Sequence, residues 1–173
     1  MIDKLLKKAK KGNDKAFLKL FQKYEKDIYR VAYVYVKNSN DALDVVQETA
    51  YKAFKNIHTL QEEKYTKSWL IKISIRNSID LIRKNKNIVP LYRDSTDIPQ
   101  KEDVDLTLSL SLQDLLHKLN ETEKTIILFK YYGGYSFKEI AELENLPLGT
   151  VKSILYRALE KCRKQVRRED LYE

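Results

Sequence analysis

The chain has 173 residues, 43% of them hydrophobic and 10% aromatic, and a net charge of +8, which is enough apolar material for one ordinary domain or two small ones. No stretch approaches the roughly 20 apolar residues of a membrane span, and "MIDKLLKKAKKGNDK" lacks the apolar centre of a signal peptide, so a cytoplasmic protein is expected. Cys162 is the only cysteine and His58 and His117 lie far apart, which excludes an intramolecular disulfide and argues against a zinc, redox or other cofactor-bearing site.

All four glycines (12, 133, 134, 149) and all three prolines (90, 99, 147) fall between periodic segments, so the chain is expected to be all-α with its helix breakers at junctions. Phe17, Leu20, Phe21, Tyr24, Ile28, Val31 and Tyr35 recur at three and four residues. This predicts a helix running from Phe17 through "IYRVAYVYV", in spite of the β-branched and aromatic content of that stretch. In the next segment Ala42, Val45, Val46, Thr49, Ala50, Ala53 and Ile57 take one side and leave Asp41, Asp44, Gln47, Glu48, Tyr51 and Lys52 outward.

A third helix is predicted from about Ser68 to Lys86. At 100° per residue Ile71, Ile75, Ile79 and Ile82 share one arc, while Lys72, Arg76, Asp80, Arg83 and Lys84 occupy another about 120° wide, with Asn77 at its edge. One face is core and the other is basic. Residues 87–106 have two prolines, several acids and no helical period, and read as an extended acidic tether. A helix is expected from Leu106 to Leu119; Asn120 with Glu123, and Ser136 with Glu139, then mark two further starts. The predicted fold is therefore all-α: two small helical bundles, 1–87 and 107–173, joined by a flexible acidic linker at 88–106, the second bundle carrying a helix-turn-helix.

The stretch "LENLPLGTVKSILYRAL" carries that motif. Asn145 can take the left-handed conformation that ends a helix, Leu146 is pushed extended by the proline after it, and Pro147 loses no hydrogen bond at a helix start. Val151, Ile154, Leu155 and Ala158 can pack on Ile140, Ala141 and Leu143. Lys152, Ser153, Tyr156 and Arg157 lie opposite, and residues 152–168 hold seven basic side chains against Glu160 alone. A helical hairpin needs only the first set, so the second has its own purpose: a recognition helix in the major groove, with Gly149 and Thr150 near the phosphates. Lys152 and Arg157 can donate to guanine, Ser153 can donate or accept, and Tyr156 can pack on a base or reach a phosphate. Lys161, Arg163, Lys164, Arg167 and Arg168 would hold the backbone.

On these residues the chain resembles a bacterial RNA polymerase sigma factor of the extracytoplasmic-function type. "SFKEIAELENLPLGTVKSILYRALEKCRK" resembles that family's fourth-region motif, which reads the minus 35 element; "DALDVVQETAYKAFKNI" its core-binding helix; "KSWLIKISIRNSIDLIRK" the helix that handles the minus 10 element. The resemblance implies that Asp41, Asp44, Gln47 and Glu48 meet the clamp helices of the polymerase and that Lys72, Arg76, Arg83 and Lys84 meet minus 10 phosphates. It implies that Asn77 touches a base captured with the help of the loop "HTLQEEKYTKSW", where Tyr65 or Trp69 would stack. Glu62 and Glu63 depart from the usual loop, and Ile154 and Tyr156 from the usual recognition helix. Implied partners are core RNA polymerase, promoter DNA and an anti-sigma factor, often membrane-anchored, and the protein would have no chemistry of its own. The tether acids Asp94, Asp97, Glu102, Asp103 and Asp105 would suit a path through the positive interior of the polymerase. The competing reading is a dimeric helix-turn-helix activator or repressor, against which stands the lack of an alternating strand-and-helix receiver in the first half.

Overall fold

The computed structural model describes residues 2–87, 115, 116 and 118–169. The tether with its five acids, most of the helix expected at Leu106–Leu119, His117 and the side chain of Arg168 lie outside the described residues. The chain divides into two compact units, 1–98 and 99–173, and every regular element among the described residues is a helix.

In the first unit α1 (Ile2–Lys10) and α2 (Asp14–Gln22) form a hairpin. Gly12 sits at φ +83°, its N–H donates to the Ala9 carbonyl at 2.9 Å and that of Asn13 to Lys8 at 3.1 Å. This is the paired bonding that closes a helix on a left-handed residue. Asn13 then caps α2, accepting from the Ala16 N–H at 2.8 Å. The single long helix expected from Phe17 to Tyr35 is instead two, α2 and α3 (Glu25–Val36), broken at Tyr24 with φ −115°, ψ −1°. Apolar period reports which residues are buried and not whether one axis carries them. Here α2 packs on α1, while α3 packs on α4 (Ser39–Asn56) and α5 (Thr66–Asn87).

Asn38 starts α4 by accepting from the Asp41 N–H at 2.8 Å while its amide donates to the Asp41 carboxylate at 2.8 Å. Two short 3₁₀ turns, Ile57–Thr59 and Glu63–Tyr65, lead into α5. The core of this unit is Ile28, Val31, Ala32 and Tyr35 of α3, Ala42, Val45 and Ala53 of α4, and Leu70, Ile71, Ile75 and Ile79 of α5. Burying a Val, Ile or Leu side chain is worth about 1.5–3 kcal/mol, so this seam holds the three helices together.

The second unit is built on α6 (Glu121–Ile127), a π turn (Leu128–Tyr132), α7 (Phe137–Glu144) and α8 (Leu148–Glu169). Both expected capping boxes are present, Asn120 with Glu123 and Ser136 with Glu139. The π turn closes when the Gly133 N–H donates five residues back to Leu128 at 2.8 Å. Gly133 is required there, since a Cβ would stand 2.9 Å from the Tyr135 ring and 3.0 Å from the Phe129 carbonyl. Asn145 ends α7 at φ 53°, ψ 46°, with the Leu146 N–H on the Ala141 carbonyl at 3.0 Å. Pro147 precedes the first turn of α8, and its carbonyl accepts from the Val151 N–H at 3.1 Å. Val151, Leu155, Ala158 and Ile140 are fully buried, while Ile154, Ala141 and Leu143 are half-buried.

Candidate nucleic-acid interface

The tight corner between α7 and α8 turns one face of α8 into the unit and the other out of it. Gly149, Thr150, Lys152, Ser153, Tyr156 and Arg157 are all exposed, Tyr156 by 61%. Their local bonds refine what each can offer a base. The Ser153 hydroxyl donates to the Gly149 carbonyl at 2.9 Å, so its proton is committed and its lone pairs remain to accept. Arg157 Nε donates to the Ser153 carbonyl at 3.3 Å, which leaves the terminal amino groups as the end able to address a guanine edge. Lys152 lies over the Phe137 ring, 5.7 Å from its centroid, so α7 helps to position it.

Two of the trailing cations expected on phosphates have carboxylate partners within the unit. Lys161 pairs with Glu123 at 2.6 Å, pinning α8 to α6, and Lys164 pairs with Glu160 at 2.8 Å. Burial of Glu123 works to raise its pKa, but the Lys161 ammonium and the Asn120 N–H outweigh it and hold the carboxyl below its ordinary value. Arg163 and Arg167 are exposed.

On α5, Arg76, Arg83 and Lys84 are exposed and Lys72 is half-buried, so the basic arc exists as a surface. Asn77 is not part of it. It is 4% exposed, its amide donates to Thr49 Oγ1 at 3.0 Å, and its Oδ1 accepts from the Lys52 ammonium at 2.6 Å. The buried arc of α5 is about 200° wide, not a narrow isoleucine stripe, because it also takes in Ser74, Asn77 and Ser78. These side chains are short and their polar atoms are bonded within the bundle: Ser74 reaches the Ile28 carbonyl at 3.3 Å and Ser78 the Ser74 carbonyl at 2.9 Å. Trp69 is half-buried, and Tyr65 is exposed with the Lys64 ammonium 4.8 Å from its ring centroid.

On α4, Asp44, Gln47 and Glu48 are exposed, with Glu48 3.4 Å from Lys52. Asp41 is half-buried and its carboxylate belongs to the Asn38 cap. Leu43 and Phe54, which periodicity did not single out, join Tyr51 as exposed apolar side chains on the same helix. The signal was present in sequence: at 100° per residue Leu43, Gln47, Tyr51 and Phe54 fall within about 80° of one another, away from the core stripe.

His58 is exposed, and Cys162 lines an apolar groove of about 340 Å³ with Leu115, Leu116, Leu128 and Tyr131. Burial, and then the Glu123 carboxylate, push its thiol up, so the neighbouring cations do not make it a reactive thiolate. Among the described residues no group of three or more His, Cys, Asp or Glu side chains is placed to hold a metal ion, and no helix is long and apolar enough to cross a membrane.

Among the described residues, an all-helical fold with a cationic helix face in one unit and an outward-facing helix-turn-helix in the other has the features of a DNA-binding protein. The comparisons agree on its kind. The family "Sigma-70 region 2" matches residues 20–88 and "Sigma-70, region 4" matches residues 109–162. RNA polymerase sigma factor SigV of Bacillus subtilis is 38% identical over 148 residues, covering 86% of this chain and 89% of that protein. ECF RNA polymerase sigma factor SigW of the same organism is 32% identical, covering 96% and 97%. The fold matches that of CnrH, solved in complex with the cytosolic domain of CnrY, at a TM-score of 0.68 and 21% identity over 96% of this chain and 98% of that one. It also matches the sigma factor RpoE from Bartonella quintana, solved with the anti-sigma factor NepR, at a TM-score of 0.65 and 20% identity over 88% and 98%. The chain belongs to the RNA polymerase sigma factors of the extracytoplasmic-function type, and its function is to direct the polymerase to promoters.

Proposed function

We propose that the two units divide this task, with residues 1–87 binding core polymerase and the minus 10 element, 107–173 binding the minus 35 element, and 88–106 linking them. The observation that carries the division is the outward presentation of three separate polar faces, on α4, α5 and α8, each opposite a buried stripe. In this reading Asp44, Gln47 and Glu48 contact the polymerase clamp, and Asp41 acts on that contact through the start of α4. Lys72, Arg76, Arg83 and Lys84 take minus 10 phosphates. Asn77 supports that surface from beneath. Gly149, Thr150, Lys152, Ser153, Tyr156 and Arg157 take the minus 35 element.

Two readers on one platform are needed because base contacts worth about 1–3 kcal/mol each cannot, from one small module, select a promoter among roughly 10⁶ or more competing sites. A short linker holds the second reader at an effective concentration of about millimolar. The protein supplies recognition and no chemistry of its own, works in the cytoplasm, and is held inactive by an anti-sigma factor that covers its polymerase-contacting face. The fold it shares with sigma factors solved in such complexes supports this last partner.

The test is transcription reconstituted from core polymerase and this protein alone. Charge reversal at Asp44 and Glu48 together should abolish co-purification with core while leaving the helical fold intact, since both carboxylates are exposed. Normal co-purification of that variant refutes the assignment of α4. Specific DNA binding without any initiation would favour a conventional activator or repressor.

A further inference from the structure

Between residues 1 and 26 the chain holds nine lysines and no arginine, against Asp3, Asp14 and Glu25. The hairpin α1–α2 sorts them by side. On α1, Leu6 and Ala9 are buried and Lys4 and Lys8 are exposed, and at 100° per residue the two sets point in opposite directions; Lys11, in the turn after α1, is also exposed. On α2, Ala16, Phe17, Leu20 and Phe21 are buried while Lys15 and Lys19 are exposed on the opposite side. Of the acids, Asp3 pairs with Lys7 at 2.8 Å and lines, with Glu62 and Glu63, a groove under α1, while Asp14 is exposed in the first turn of α2 beside Lys15 and offsets only part of the charge of the outward lysines.

From this sorting we infer that the outward lysine face of the α1–α2 hairpin is a sequence-independent phosphate-binding surface, adding backbone contacts to promoter DNA beyond those of α5 and α8. The inference rests on the reading of this chain as a promoter-binding subunit. Three features select DNA phosphate as the occupant. Lysine is a compact point charge on a flexible stem that meets a phosphate without the fork geometry that arginine brings to base edges, and the hairpin has lysine only. The arginine assigned to a base edge, Arg157, lies on α8 instead. Insertion into a membrane surface needs a broad apolar face, whereas Leu6, Ala9, Phe17 and Leu20 are spent on the interior of the unit and Leu18 is a single exposed leucine on α2. Finally, α1 packs against the turns at Ile57–Thr59 and Glu63–Tyr65 that lead into α5, so the lysine face belongs to the rigid body that carries the basic arc of α5.

The experiment uses the full chain with Lys8, Lys11, Lys15 and Lys19 all changed to Gln, and a companion with the same four changed to Arg, each assembled with core polymerase. Binding to a promoter fragment is measured as a function of KCl. The Gln variant is expected to flatten the slope of log affinity against log salt by roughly 0.9 for each phosphate no longer neutralised, with unchanged start sites and base preferences. The Arg variant should retain the wild-type slope. An unchanged slope for the Gln variant in an otherwise active holoenzyme overturns the inference and leaves the proposed function standing. So does a loss of affinity for core at an unchanged slope, which would place an acidic protein surface there. Loss of co-sedimentation with phosphatidylglycerol vesicles at an unchanged slope would place a membrane there and also overturn it. If the unsubstituted protein supports no initiation, the proposed function itself fails, and the inference with it.

Discussion

Asn77 separates a structural role from a DNA-contacting one, and the change to test is Asn77→Ala in the full chain. The substitution removes two hydrogen bonds across the α4–α5 seam: the amide to Thr49 Oγ1 at 3.0 Å and the Lys52 ammonium to Oδ1 at 2.6 Å. The first is a neutral bond in a fully buried setting, worth about 1 kcal/mol. The second is charge-assisted, in the range of about 1.5–3 kcal/mol when desolvated. Lys52, however, has a side chain 43% exposed and Glu48 at 3.4 Å, so its head can return to water and to that carboxylate, bringing this loss down to about 1 kcal/mol. Together they come to about 2 kcal/mol. At about 4–8 °C per kcal/mol for a domain of this size, the midpoint of the first unit should fall by about 8–16 °C. Thermal unfolding followed by circular dichroism at 222 nm measures it. Asn77→Asp, which keeps an acceptor for Lys52 and for the Thr49 hydroxyl, should lose less. An unchanged midpoint for Asn77→Ala, together with impaired promoter opening, would refute the structural account and return Asn77 to direct contact with a base.

Arg157→Ala should cost about 1–3 kcal/mol at one promoter position and relax preference there, whereas Arg167→Ala should weaken all sequences alike; binding to a panel of point-substituted promoters distinguishes the two. Because Glu123 has a folded pKa below its unfolded value of about 4.3, its contribution is fully present above that value and is lost as pH falls through the depressed pKa. The melting temperature of the second unit should therefore drop on acidification below about pH 4.3, and Lys161→Met should reduce that drop, as a thermal scan at a series of pH values would show. Gly133→Ala should destabilise the second unit by about 1–3 kcal/mol, because its Cβ would meet the Phe129 carbonyl at 3.0 Å as well as the Tyr135 ring. Gly149→Ala should be neutral or stabilising by up to about 1 kcal/mol, since nothing lies within 4 Å of its Cβ; urea unfolding of the two variants checks the contrast.

What could be read from the residues alone was local. A cap needs only a side chain and an N–H three residues on, so Asn120 with Glu123, Ser136 with Glu139, and the left-handed Asn145 before Pro147 were legible, and the period of the apolar side chains marked most of the buried faces. From those facts the sequence by itself determined an all-helical chain with its polar stripe of α8 directed outward.

Tertiary structure alone decided the matters that depend on partners distant in the chain. Asn77 and Thr49 are 28 residues apart, Lys161 and Glu123 38 apart, and no local rule says that a polar side chain at the margin of a stripe will find such a partner. Where it does, the bond offsets desolvation and the residue is drawn inside, as with Asn77 and Ser74, or a cation gains an internal tie, as with Lys161. The same holds for the break at Tyr24: helices that pack against different neighbours part there, although the apolar period runs on across the break.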